Sequence, residues 1–165
     1  MATPTTEVEA AAEQAGYHGE FLDDFYGPFT SQREKEVLSI PLRLVTAWAS
    51  WDAETVADVF TKDGILILPG DVLKKSRDEI QAFMTAAYAG PFWGTRVVGK
   101  VVDVRFVSED AALLRTHGGI LGPGQTEIDP AMAVRSTWVV VKTDDEWQLA
   151  VYQNSPRGAG ATLRW

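Results

Sequence analysis

Cysteine is absent from the 165-residue chain, which excludes disulfides, thiolate metal sites and thiol nucleophiles. Histidine is nearly absent as well. Only His18 and His117 occur, too few for a histidine-rich metal centre, and neither a metal nor a cofactor is expected. No apolar run approaches the roughly 20 residues that cross a bilayer. The opening MATPTTEVEA has neither the basic nor the apolar region of a secretory signal. Residues 1–30 contain no Lys or Arg, while Glu7, Glu9, Glu13, Glu20, Asp23 and Asp24 place most of the net charge of −8 there. The remainder is close to neutral and has no basic footprint for a phosphate backbone. Nucleic acid and membrane are therefore excluded as expected partners, and a cytoplasmic protein fits best.

Aromatic residues are plentiful, with six Trp, seven Phe and four Tyr in one domain-sized chain. Residues 1–30 read as an acidic, aromatic arm, mobile at its start; the FLDDFYGPF stretch either packs on the body or on a partner, or belongs to a disordered leader. Residues 31–157 read as the folded domain and 158–165 as a tail. Ser31-Gln-Arg-Glu34 is a capping box, and Val37, Pro41, Leu44, Trp48 and Trp51 recur at helical spacing behind it. Pro41 predicts a kink. Asp52 caps a short helix over 53–60, Thr61–Gly64 reads as a turn, and Ile65–Leu68 as a buried strand. Ser76-Arg-Asp-Glu79 opens a third helix over about 77–89. Four long strands follow, Val97–Val107, Ala111–Ile120, Ala133–Lys142 and Trp147–Ser155, separated by tight turns. Helices first and an antiparallel sheet after them predict an α+β fold with helices on one sheet face. The glycine-rich LLRTHGGILGPGQ is a strand end rather than a phosphate loop, because no capped helix follows it.

The run WASWDAETVADVFTKDGILILPG and the closing WQLAVYQNSP resemble the NTF2-like superfamily, and within it SnoaL-like proteins of the SgcJ/EcaC-type branch. The resemblance covers Glu34 to Arg157. It implies three helices packed in a strongly curved, mostly antiparallel sheet, a cone with a ligand pocket, and a homodimer through the outer sheet face. It also implies enediyne-antibiotic biosynthesis alongside a polyketide synthase partner. Fold alone does not decide among isomerase, cyclase, dehydratase and binding roles.

His117 and Asp103 are the candidate proton carriers. Alternation puts Arg115 on the face of His117, which looks either into the cone or out to the rim or a dimer contact. Asp103 and Arg105 share a face opposite Val102, Val104 and Phe106, and this favours an ion pair outside the core over a buried base. Arg135 is either an inward anion-binding group or an outward salt-bridge partner. In the last strand Tyr152 and Asn154 share one face, and Gln153 and Ser155 the other; one pair orients the ligand. Trp48, Trp51, Phe83, Tyr88, Phe92 and Trp93 either pack as ordinary core or form an aromatic wall suited to a polyene or polyketide ligand. Two functions stay open: a cofactor-independent isomerase, cyclase or dehydratase, and a non-catalytic accessory that binds an intermediate or docks on the synthase.

Overall fold

A computed structural model describes residues 4–158. The elements run α1 (Pro4–Gln14), α2 (Gly19–Tyr26), α3 (Gln32–Trp48), α4 (Ala53–Asp58), β1 (Phe60–Leu68), β2 (Val72–Lys74) and α5 (Arg77–Tyr88). Four long strands follow: β3 (Arg96–Ser108), β4 (Ala111–Leu121), β5 (Val134–Thr143) and β6 (Glu146–Pro156). They make one six-stranded sheet in the order β2-β1-β6-β5-β4-β3. Only β1 and β6 run parallel; every other pair is antiparallel. The fold is α+β, with the helices packed on one side of the sheet. No helix among the described residues is long and apolar enough to cross a membrane.

The caps act where expected. Ser31 Oγ accepts from Glu34 N–H while Glu34 accepts from Ser31 N–H. Asp52 and Ser76 cap α4 and α5 one way only, each side chain accepting from first-turn amides; Glu79 reaches back past the N-cap and accepts from Lys75 N–H at 2.7 Å. The helix α3 passes through Pro41 without a break. It ends earlier than its apolar spacing suggests, at Trp48. Trp51 lies beyond it in a left-handed conformation, φ 51°, and its indole N–H donates to Thr95 O at 2.8 Å. That hydrogen bond, together with the neighbouring Trp48 Nε1 bond to Thr95 Oγ1 at 2.9 Å, ties the turn to the start of β3.

Thr61–Gly64 is not a turn. It belongs to β1, where a register shift against β6 between Phe60 and Ile65 absorbs the irregularity. A second bulge, between Val101 and Asp103, corrects the expected core face of β3. Val104 and Phe106 pack on the core, whereas the extra residue Val102 turns out to 40% exposure. Asp144 and Asp145 both have positive φ, the geometry of a two-residue hairpin whose twist matches its strands.

The arm is structured from Pro4 onward. Both its helices dock: Tyr17, Leu22, Phe25 and Tyr26 are buried, and α1 packs along α3. Tyr17 OH donates to Val97 O at 2.9 Å, and Arg96 donates to Ala15 O at 2.9 Å while its guanidinium lies over the Tyr17 ring. Tyr26 OH donates to Glu9 at 2.8 Å. Of the expected tail, 159–165 lie outside the described residues.

Candidate functional site

Strand pairing decides which side chains face the helices. Across β4, β5 and β6 the inward rows are Leu114, Trp138 and Tyr152, then Thr116, Ser136 and Asn154, then Gly118, Val134 and Pro156. The two upper rows are bulky or polar. Beside Gly118 stands Gly99 on β3, so side chains are missing from a patch of the sheet's inner surface. A Cβ on Gly118 would collide with the Val98 carbonyl oxygen, and one on Gly99 would lie 2.9 Å from His117 O. Close strand approach holds both positions to glycine, and the space in front of them belongs to a cavity.

That cavity, of about 330 Å³, lies between the sheet and helices α2, α3 and α5. Its size falls within the usual range for small-molecule sites. Aromatic and aliphatic groups dominate the lining, including Phe25, Leu44, Trp48, Phe60, Phe83, Met84 and Phe92. Among the described residues, no Asp, Glu, His, Lys or Arg lines it. The polar groups come from the sheet: Thr116, Ser136, Trp138, Tyr152 and Asn154. Trp138 Nε1 donates to Thr116 Oγ1 at 3.0 Å. Ser136 Oγ and Tyr152 OH lie 2.9 Å apart and share a hydrogen bond, and Asn154 Nδ2 donates to Tyr152 OH at 3.1 Å. Burial raises the Tyr152 pKa, outweighing the hydrogen bonds from Ser136 and Asn154 that act the other way. The phenol is neutral at physiological pH and a weak acid. Asn154 Oδ1 is buried and has no partner.

Of the residues singled out from the sequence, Trp48, Phe83, Tyr152 and Asn154 meet at this cavity, and Phe92 with them. The open choice on β6 resolves inward for Tyr152 and Asn154. Gln153 stands exposed on the outer face, opposite Thr137. Arg135 also faces outward, paired in register with His117 and Ser155. Asp103 and Arg115 are joined there by a 2.7 Å salt bridge. His117 lies on that same outer face, between Lys100 and Arg135 in register. Its pKa is lowered by burial first, then by the charges of Arg157, Arg135, Lys100 and Arg115. It is therefore a poor proton donor at neutral pH, and no described contact brings it to the cavity.

The other three aromatics stand aside. Trp93 is 63% exposed and packs on Trp51, their rings 4.7 Å apart. Tyr88 is buried edge-on to Trp48, with its hydroxyl unpartnered. It borders a shallow external groove with Trp51, Asp52, Gln81 and Thr85. Burial and the Asp52 charge push its pKa up. No group of three or more His, Asp or Glu among the described residues is placed to hold a metal.

Ser136, Thr116 and Phe25 were missed as cavity residues. For Ser136 and Thr116 the signal was present: each is a small hydroxyl residue on the alternation of inward apolar residues. Phe25 could not be placed from the sequence, because nothing local says where a leader helix docks.

A model of the SnoaL-like domain matches residues 33–153. No curated protein matches the chain. Among solved structures, a domain of unknown function with a cystatin-like fold from Nostoc punctiforme is 29% identical. The match spans 79% of this chain and 81% of that one, with a TM-score of 0.72. A ketosteroid isomerase-like protein from Erwinia carotovora matches at 22% identity over 75% of this chain and 95% of its own, TM-score 0.60. An NTF2-like protein with a cystatin-like fold from Novosphingobium aromaticivorans matches at 18% identity over 98% and 95%, TM-score 0.63. The last two likenesses establish the fold alone.

Proposed function

The chain belongs to the SnoaL-like domain family, and on that premise we propose that it is a cytoplasmic accessory protein that holds an uncharged polyene or polyketide intermediate in its cavity. One observation carries the reading: among the described residues the cavity is lined by hydrocarbon and neutral polar groups, with no ionisable side chain except a phenol whose pKa is raised. Isomerases and cyclases that work by general acid–base catalysis need a group poised to exchange protons near the operating pH. His117 and Asp103, the two candidates for that task, stand on the other side of the sheet. Burial of an apolar ligand contributes about 25 cal/mol per Å², so a hydrocarbon-lined cavity binds without specific polar chemistry. The resemblance to the SgcJ/EcaC-type branch supplies the setting, an enediyne-producing polyketide synthase whose intermediate is polyenic. Residues 31–157 would be the binding domain and 1–30 an arm completing its wall.

The outer sheet face supports a homodimer. Leu113, Val139, Val141, Val151, Ile65 and Ile67 form a half-buried apolar stripe across it. A second copy covering that stripe would sit on the face of the sheet opposite the cavity.

The test is to incubate the synthase and its substrates with and without the protein and to compare products. The reading expects an altered product profile or yield, unchanged by His117→Ala and lost when the cavity is filled. An enzyme of the isomerase, cyclase or dehydratase class would instead lose its effect in His117→Ala or Asp103→Asn while remaining folded.

A further inference from the structure

We propose that the ligand carries a hydroxyl group, seated between Asn154 Oδ1 and the Ser136–Tyr152 pair, with its apolar body extending over the rest of the cavity. This rests on the reading of the cavity as a binding site and adds the chemical class of the ligand.

The argument is an inventory of donors and acceptors. Ser136 and Tyr152 each bring one hydroxyl proton and share one hydrogen bond at 2.9 Å. Whichever of them donates, one hydroxyl proton is left over. Asn154 Nδ2 is engaged with Tyr152 OH at 3.1 Å, while Asn154 Oδ1 is buried and unpartnered. The cluster therefore holds one O–H donor and one acceptor without partners, within a lining that is otherwise mostly hydrocarbon.

Each ligand class meets that pair differently. A hydroxyl accepts from the free proton and donates to Oδ1, satisfying both. An aldehyde or ketone accepts the proton and leaves Oδ1 unpaired. A carboxylate sets a negative charge against Oδ1 where, among the described residues, no cation lines the cavity. A hydrocarbon leaves both groups unpaired. Leaving a buried polar atom without a partner costs more than an average hydrogen bond contributes, so the preference for a hydroxyl over an aldehyde or ketone is set by Oδ1.

The experiment uses the full chain and the neutral fluorescent polyene diphenylhexatriene, displaced in turn by n-decanol, n-decanal, n-decanoate and n-decane. Decanol is expected to displace the probe at about ten-fold lower concentration than decanal, a one-hydrogen-bond difference, with decanoate weakest of the three oxygenated ligands. In Asn154→Leu the preference for decanol over decanal disappears and decane binds more tightly than in the wild type. The wild-type ranking stands without that variant should it fail to fold. Tyr152→Phe, which removes a hydroxyl from the pair, weakens the same preference. Equal displacement by all four overturns the hydroxyl assignment and leaves the cavity reading standing. Tighter binding of decanal also overturns it, and would put the amide NH₂ rather than Oδ1 at the free position. Failure of the wild-type protein to take up diphenylhexatriene defeats the cavity reading, and the hydroxyl assignment with it.

Discussion

The Tyr152 hydroxyl accepts a hydrogen bond from Asn154 Nδ2 at 3.1 Å, two residues along the same strand and on the same inward face. The contact is small, yet it organises the cavity's polar corner. Ser136 joins it from the neighbouring strand, and the rest of the lining is almost entirely hydrocarbon.

Removing the phenol oxygen disturbs that corner on two sides. Tyr152→Phe strips Asn154 Nδ2 of its acceptor and Ser136 of its partner. Unfolding free energy is expected to fall by about 1–3 kcal/mol, the usual cost of orphaned buried polar groups. Chemical denaturation of both proteins measures it.

Substitutions on the outer sheet face should leave ligand binding alone. Asp103→Asn breaks an exposed pair with Arg115, a type of interaction worth about 0–1 kcal/mol. Calorimetric titration of a bound polyene should give the same affinity for wild type, Asp103→Asn and His117→Ala.

His117 should nevertheless appear in the pH dependence of stability. Its folded pKa is depressed below the ordinary 6.5 by burial and by the surrounding cations, so the unfolded chain takes up the proton more readily. The stability associated with keeping it neutral is complete above 6.5 and is lost as pH falls through that value towards the folded pKa. Urea midpoints measured downwards from neutral pH should fall less steeply in His117→Asn than in the wild type.

Phe25 joins the acidic arm to the cavity. It is 2% exposed and lies in the lining. Phe25→Ala is expected to cost about 3–5 kcal/mol, as for buried Phe truncations in general, and to enlarge the cavity. Longer polyenes should then gain affinity relative to shorter ones, as a chain-length series of ligands would show.

Gly118 tests the close strand approach behind the cavity. In Gly118→Ala the new Cβ collides with a backbone carbonyl of β3 rather than with a flexible side chain. The strands must separate, at an expected cost of about 1–3 kcal/mol seen as a lowered Tm.

The helix caps at Ser31, Asp52 and Ser76, the three helices they open and the four long strands were legible in the sequence because each is a local signal: a side chain meeting an amide two or three residues away, or alternation along a strand. The inward face of β6 was not, since Leu149, Val151, Ala150 and Tyr152 suit either side of a sheet that is apolar on both. Only pairing with Ser136 and Trp138 on β5 distinguishes the faces. Bulges hid the orientation of Val102 and the continuity of β1 through Thr61–Gly64, because an extra residue shifts the two-residue period without changing composition. Trp51 followed the helical spacing but sits in a left-handed turn stabilised by Thr95, a partner distant in sequence. The arm's docking rests on similarly distant contacts, Tyr17 with Val97 and Arg96 with Ala15.

Fluorescence titration of diphenylhexatriene tests the central claim most directly, using wild type, the double variant His117→Ala/Asp103→Asn, and Val134→Trp. Val134 lines the cavity opposite Gly118, where the sheet has no side chain to resist a larger one. Saturable uptake of the probe by the wild type, unchanged in the double variant and abolished in folded Val134→Trp, is the predicted result. No uptake by the wild type, or uptake that survives Val134→Trp intact, would contradict the account.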